Sequence, residues 1–283
     1  MRIVYVNGEY VPEQDAKVSI FDRAFLFADA VYEVTSVLNG KLVDFDNHMK
    51  RLKRSMKELN FGPSIKEKNF LNFHRELVVK NKIKEGIVYL QVSRGIAERD
   101  FAFPNSDTPL TITAFTQKKK LIDNESEKKG ITIITIDDLR WKRCDIKTIQ
   151  LLYPSIAKTE AIKKGADDAW MTMNGYIMEG SSNNAWIIKG NNIYTREADN
   201  LILKGITRQA VMEAAKTLHY RVTPKQFTVQ EAENADEAFV TSATTFVTGV
   251  VKINDRKIGT GKPGVFTKAL RNAYVKQALK NLK

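Results

Sequence analysis

The sequence predicts an α+β protein built as two domains. Three observations carry this. Two Asn-Gly turns near the start join short runs with β-strand composition, and two helical patterns follow before strands resume. At 283 residues the chain is long enough for one large core or two medium ones. Finally, the stretch QKKKLIDNESEKKG, residues 117–130, is highly charged, poor in apolar residues and closed by a glycine, which reads as a linker. The expected layout is a small N-terminal domain over 1–118, a linker over 119–129 and a larger domain over 130–283.

The elements follow in order. MRIVYVNGEYVPEQDAKV reads as two short strands about Asn7-Gly8. VYEVTSVLNGKLVD, residues 31–44, reads as a hairpin about Asn39-Gly40. In DNHMKRLKRSMKEL, Met49, Leu52, Met56 and Leu59 recur at spacings of three and four, so one face of a helix is apolar, with Asp46 as its expected N-cap. A second helix is expected over 66–80, burying Phe70, Phe73, Leu77 and Val78. GIVYLQVSRG and LTITAFTQ read as strands, with the polar loop IAERDFAFPNSDTP between them. In the second half, strands are expected at 131–137, 168–174, 184–189 and 237–242, and helices at 154–164, 206–219 and 264–281. No solenoid-length repeat or low-complexity tract is visible.

Composition narrows the function classes. Hydrophobic residues make up 43% and charged residues 28%, an ordinary globular balance. No apolar run is long enough to span a bilayer, and the N-terminus lacks the pattern of a signal peptide, so neither a membrane nor an export role is expected. Cys144 is the single cysteine; it can form no intrachain disulfide, in keeping with a cytoplasmic location. The formal net charge is +12, but the lysines are scattered and do not interleave with aromatics. Small anionic substrates are therefore the expected partners, and nucleic acid is not. His48, His74 and His219 have no metal-ligand spacing, so no metal site is expected; the first two are expected at the surface or an interface. Neither a G-x-S-x-G elbow nor a phosphate-binding P-loop occurs.

Four stretches hold chemistry-bearing residues. RWKRCDIKT, residues 140–148, follows the apolar strand GITIITIDDL. Continued as a strand, it would place Trp141, Arg143, Asp145 and Lys147 on one face. A lysine among cations has its charged form disfavoured and its amine freed as a nucleophile; an exposed basic strand end would look the same. In GYIMEGSSNNAWII, Glu179 closes a strand before Ser181 and Ser182, and is either an ion-pair partner or an acceptor for a protonated ring nitrogen. In LILKGITRQAVMEAA, a helix starts after Gly205, so unpaired amides near Ile206 and Thr207 form a seat suited to phosphate. FVTSATTFVTG supplies a second hydroxyl-rich turn after a strand.

Together with FLFADAVYEV, HMKRLKRS, YLQVSRGIAERDFAFP and MEGSSNN, these stretches resemble, in order and spacing over nearly the whole chain, the class IV (fold-type IV) pyridoxal-5′-phosphate aminotransferases, and most of all the bacterial D-amino-acid (D-alanine) transaminases. The resemblance implies a small N-terminal α/β domain, a larger one with a barrel-like sheet, a homodimer, and a site between the domains with a rim contributed by the partner. It implies that Lys147 forms the Schiff base with pyridoxal 5′-phosphate and moves a proton at the substrate α-carbon. Glu179 would accept from the pyridine nitrogen. Arg51, Ile206 and Thr207 would hold the phosphate, with Ser242 and Ala243 as its second turn. Leu203 would lie against the ring, and Ser181 and Ser182 beside it. Arg99 would clamp the substrate carboxylate, with help from the Tyr32 hydroxyl; a guanidinium suits a bidentate grip. Where familiar members carry a histidine two residues after that arginine, this chain has Phe101. The activity implied is amino transfer from a D-amino acid such as D-alanine to a 2-oxo acid such as 2-oxoglutarate. Branched-chain L-amino-acid transaminases, (R)-amine transaminases and aminodeoxychorismate lyases share the same lysine and glutamate.

Overall fold

A computed structural model describes residues 1–283, which form two compact units. The first comprises residues 1–120, 146–150 and 281–283; the second comprises 121–145 and 151–280.

In the first unit the chain order is β1 (Ile3–Val6), β2 (Glu9–Pro12), α1 (Arg23–Phe27), β3 (Ala30–Leu38), β4 (Lys41–Leu42), α2 (Phe45–Glu58), α3 (Glu67–Lys80), β5 (Glu85–Ser93) and β6 (Thr111–Lys118). Both expected hairpins are present: Asn7 and Asn39 adopt φ of 49° and 52°, the positive values such turns demand. The six strands order as β2-β1-β6-β5-β3-β4, every neighbouring pair antiparallel. Met49, Leu52 and Met56 of α2 and Phe70, Phe73 and Leu77 of α3 pack with Val31, Val88 and Leu90 in one core. Fully burying side chains such as Met49 and Leu52 contributes roughly 1.5–3 kcal/mol each. Helix α2 begins earlier than its sequence suggests. Asp44 is the capping position, in the left-handed region at φ 53°, and Asp46 falls within the first turn instead of capping it. The tight exit from β4 imposes that turn and carries the chain into the helix two residues sooner.

The second unit contains α4 (Glu125–Lys129), β7 (Ile131–Asp137), α5 (Leu152–Lys163), β8 (Asp168–Met173), β9 (Tyr176–Gly180), β10 (Asn184–Lys189), β11 (Asn192–Thr195), α6 (Ile206–Thr217), β12 (Arg221–Pro224), α7 (Val229–Glu233), β13 (Glu237–Ser242), β14 (Phe246–Ile253), β15 (Arg256–Lys257) and α8 (Val265–Lys280). The segment expected as a linker thus carries a helix, and Leu121 is fully buried with its carbonyl accepting from Arg271.

Eight strands run β12-β11-β10-β13-β14-β7-β8-β9, with β15 beside β14. Four strands separate β9 from β10, which in a flat sheet would put them about 24 Å apart. Yet only residues 181–183 join them, a connection that reaches about 14 Å at most. The sheet must therefore curl, which is the barrel-like form the resemblance implied. Its core holds Trp170, Ile177, Ile187, Phe227, Val240 and Val250, and α5 covers Ala169 with Ala157 and Ala161.

Residues 140–148 are not a strand. Strand β7 ends at Asp137, and the next eight residues form bends and a turn, so Trp141, Arg143, Asp145 and Lys147 share no strand face. The charges explain the break. Arg140 pairs with Asp138 and also reaches Glu179, and Arg143 pairs with Asp145, so the segment satisfies its cations through bends instead of lining them along a ladder.

Candidate active site

In the first unit, Lys147 is fixed through its backbone. Its carbonyl accepts from the Tyr32 amide at 3.0 Å, and its own amide donates to the Ser55 hydroxyl at 3.3 Å. Thr148 forms a bridge with Val31, so the short run 146–150 lies antiparallel to the start of β3. The Lys147 ammonium sits 4.0 Å from the centre of the Tyr32 ring and has no carboxylate partner. An amine on a rigid backbone, facing a ring and free of a carboxylate, is suited to covalent chemistry at a carbonyl.

Arg51 lies on α2, on the face that also presents His48. Its guanidinium grips Glu33 with two bonds of 2.8 and 2.7 Å, and His48 Nδ1 lies 2.7 Å from the same carboxylate. Glu33 is fully buried on β3. Burial would raise its pKa, but Arg51 and His48 outweigh that and hold it at about 2. This ionised carboxylate orients Arg51 by a bidentate contact. His48 and His74, expected at the surface or an interface, are both buried within the unit, so neither lies at the surface. Each lies on the inner side of its helix, His48 toward Glu33 and His74 against Phe45 and Phe73.

Arg99 lies apart on the loop between β5 and β6. It is exposed, and its guanidinium sits 5.5 Å from the Phe27 ring centre and 5.6 Å from that of Phe101.

In the second unit, Glu179 closes β9 and is buried. Arg140 Nη1 donates to it at 2.6 Å, Asn184 Nδ2 at 3.0 Å, and the Leu203 amide at 3.1 and 3.2 Å to its two oxygens. Burial raises its pKa above the ordinary carboxylate value, opposed by Arg140 and the Leu203 amide. A carboxylate offers about four acceptor sites. Three donors converge here, the Leu203 N–H shared between both oxygens, and the carboxylate remains an acceptor of the kind a protonated ring nitrogen would require.

Around this carboxylate the sheet edge assembles the other residues. Asn184 also donates to the Leu203 carbonyl, tying β10 to the approach of α6. Gly205 precedes α6 with φ −63° and no side-chain cap, so the amides of Ile206, Thr207 and Arg208 have no intrahelical partner. A β-carbon at Gly205 would stand 2.2 Å from Asn184 Oδ1, so the close approach of helix and strand depends on glycine. Asn184 registers with Thr241, which places the turn 242–245 on the same edge. There the Ser242 hydroxyl accepts from the amides of Thr244 and Thr245, and Ala243 sits between them. The half-buried hydroxyls of this turn and the unpaired amides that open α6 suit a phosphate.

The structure thus gathers Lys147, Tyr32 and, through Ser55 and Glu33, the α2 face that bears Arg51. It separately gathers Glu179, Leu203, Ile206, Thr207, Ser242 and Ala243. Ser181 is turned toward Asp168, to which its hydroxyl donates, and Ser182 is exposed. Cys144 donates to the Trp141 carbonyl, and burial pushes its thiol up to about 12, so it is not a nucleophile at neutral pH.

Sequence reading gave no role in the site to Glu33, His48, Arg140 or Asn184. Glu33 did leave a signal: Val31, Glu33, Thr35 and Val37 alternate on the buried face of one strand, where a charge demands partners. Arg140 left none, being one cation in a run of four.

The family model for amino-transferase class IV matches residues 30–253. A D-alanine aminotransferase of Bacillus licheniformis is 37% identical over 286 residues, covering both chains in full. One from Staphylococcus aureus (strain N315) is 37% identical over 276 residues, 98% of each chain. Among solved structures, a T.th. branched-chain amino acid aminotransferase with pyridoxamine 5′-phosphate superposes with a TM-score of 0.90 at 26% identity, covering 98% of this chain and 94% of that one. The Escherichia coli branched-chain amino acid aminotransferase, at 21% identity and a TM-score of 0.89, covers 98% of this chain and 94% of its own and shares the fold. A curled sheet with an acceptor carboxylate at its edge, an anchored lysine and full-length likeness to these enzymes lead to one assignment: the chain belongs to the class IV aminotransferases.

Proposed function

We propose that the chain is a D-amino-acid aminotransferase that moves the amino group of a D-amino acid such as D-alanine to a 2-oxo acid such as 2-oxoglutarate. The full-length likeness to D-alanine aminotransferases carries this reading. The enzyme is a pyridoxal 5′-phosphate-dependent aminotransferase. That cofactor, when bound, supplies an electron sink for the carbanion formed at the substrate α-carbon.

The chain's own groups divide the work. Lys147 supplies the amine that binds the cofactor carbonyl, and later carries the proton away from the substrate α-carbon. Glu179, paired with Arg140, accepts from the pyridine nitrogen and keeps its proton in place. The Ile206 and Thr207 amides, Arg51, and the Ser242–Ala243 turn hold the phosphate, while Leu203 packs on the ring with Ser181 and Ser182 beside it. Arg99 grips the α-carboxylate, and Tyr32 assists. We place the enzyme in the cytoplasm as a homodimer, with small-molecule partners and no nucleic-acid or membrane role. The single, unpaired cysteine and the scattered lysines support that placement, and no helix is long and apolar enough to cross a membrane.

The test is absorption spectroscopy of the purified protein titrated with D- and L-amino acids in turn, alongside Lys147→Ala. A yellow protein bleached by D-alanine, with colour and activity both lost in the variant, is expected. An active Lys147→Ala enzyme removes the assignment of Lys147. Turnover of L-leucine but not D-alanine replaces the substrate with a branched-chain L-amino acid.

A further inference from the structure

The surroundings of Arg99 go further than its role as a carboxylate grip. Its guanidinium has neither a hydrogen bond nor an ion pair within the chain. Its neighbours are two phenyl rings: Phe27 at 5.5 Å and Phe101 at 5.6 Å. The rings meet each other edge to face, 5.6 Å apart at 62°. Arg99, Phe27 and Phe101 therefore form a closed triangle of mutual contacts. Phe101 is 81% exposed, so hydrophobic burial does not explain its position.

The backbone beneath the triangle is built to hold still. Arg23 is 2% exposed, and its Nη1 donates to the carbonyls of Asp100 at 2.8 Å and Ala102 at 3.4 Å, one on each side of Phe101. Arg23 Nε and Arg94 Nε both bond to Asp29, at 2.8 and 2.7 Å. Arg94 also lies 3.7 Å from the ring centre of Phe103. The Arg23 guanidinium sits 4.5 Å from the same Phe27 ring that touches Arg99. A buried Arg–Asp–Arg cluster thus pins both the loop backbone and one wall of the triangle.

We propose that Phe101, with Phe27, is a positioning residue for Arg99. The two rings hold the guanidinium by cation–π attraction and leave its N–H groups free for one planar carboxylate of the substrate. Arg23 fixes the loop that presents them. Each ring contact substitutes for a hydrogen-bonded brace. It orients the cation without competing for its donors, since an aromatic face accepts no bidentate fork. The inference rests on the reading of Arg99 as the carboxylate grip.

The test uses the holoenzyme and steady-state kinetics with D-alanine at saturating 2-oxoglutarate. Phe101→Leu keeps apolar bulk and removes the ring. It should raise KM for D-alanine about two- to five-fold, the value of one exposed cation–π contact. Its kcat should change by less than about two-fold, because the contact is equally present before and during the chemical step. Phe101→Tyr should restore KM. Arg99→Gln, run beside them, should raise KM by more than either. If Arg99→Gln raises KM and Phe101→Leu does not, the bracket is wrong and the grip stands. If Arg99→Gln leaves KM unchanged, the grip itself is wrong and the bracket falls with it. If Phe101→Leu lowers kcat and thermal stability together and Tyr fails to restore KM, Phe101 is loop packing only, which also overturns the proposal.

Discussion

Replacing Arg140 with methionine tests the electrostatics around Glu179 most directly. The side chains of Arg140, Asp138 and Glu179 are 12%, 3% and 5% exposed, so the cation holds two buried carboxylates. Removing one partner of a buried pair costs about 3–5 kcal/mol, because the remaining charge is left without compensation. Methionine keeps most of the volume, so packing adds little. The pH dependence has a definite sign. Burial already raises the Glu179 pKa above its ordinary value, and Arg140 is the main opposing influence. An acid whose pKa is higher folded than unfolded contributes stability at low pH, and that stability is lost as pH rises through the folded value. Without Arg140 the folded value climbs further, so protonation relieves the variant in acid and not in alkali. Urea unfolding, followed by tryptophan fluorescence, should show a deficit near the full ~3–5 kcal/mol at alkaline pH and a smaller one at acidic pH. Turnover of the variant should in turn fall most on the acid side, where a protonated Glu179 no longer accepts from a ring nitrogen. Asp138→Asn leaves the Arg140–Glu179 contact in place and should lack this pattern. A deficit below about 1 kcal/mol, the range of an exposed pair, or one equal at both pH values, refutes the reasoning.

Two further outcomes follow from buried groups and close contacts. His74 is fully buried with Nε2 unpartnered; burial, against its bond to the Phe70 carbonyl, lowers its pKa to about 4 from 6.5. The unfolded chain therefore binds more protons between those values, and stability should fall by about 2 kcal/mol from about pH 8 to pH 5, a loss that His74→Asn removes; an unchanged pH slope in the variant would exclude His74 as its source. Gly205→Ala suits the backbone at φ −63° but drives a β-carbon to 2.2 Å from Asn184 Oδ1, displacing an amide that serves Glu179 and Leu203. Losing a hydrogen bond to a charged group should weaken pyridoxal phosphate binding roughly ten-fold or more, measured by absorbance titration of the apoenzyme; equal affinity would show that Asn184 relaxes without consequence.

Local pattern sufficed wherever one residue's neighbours in sequence are its neighbours in space. The spacing of Met49, Leu52 and Met56 places α2, Asn-Gly marks both early hairpins, and Gly205 before an amphipathic run marks the start of α6. The motif order from FLFADAVYEV to FVTSATT likewise sufficed for the family and the cofactor. Short or non-local elements were not legible. Strand β12 exists because it lies parallel to β11 across the intervening α6, and α1 because Asp22 caps five residues that end at a left-handed Ala28. The largest gap was in RWKRCDIKT. Its composition suggests a continuous basic strand, yet the chain breaks there. Arg140 turns to Asp138 and Glu179, thirty-nine residues away from the latter, while Lys147 is fastened to β3 through Tyr32, and its neighbour Thr148 through Val31. Glu33, His48 and Arg51 are likewise joined only when a strand and a helix pack. The sequence by itself determined which chemical groups are present and which segments carry them. Only the tertiary structure decided which charges compensate one another, because burial and Coulomb energy depend on distance in space, and the chain leaves that distance open until the sheets close.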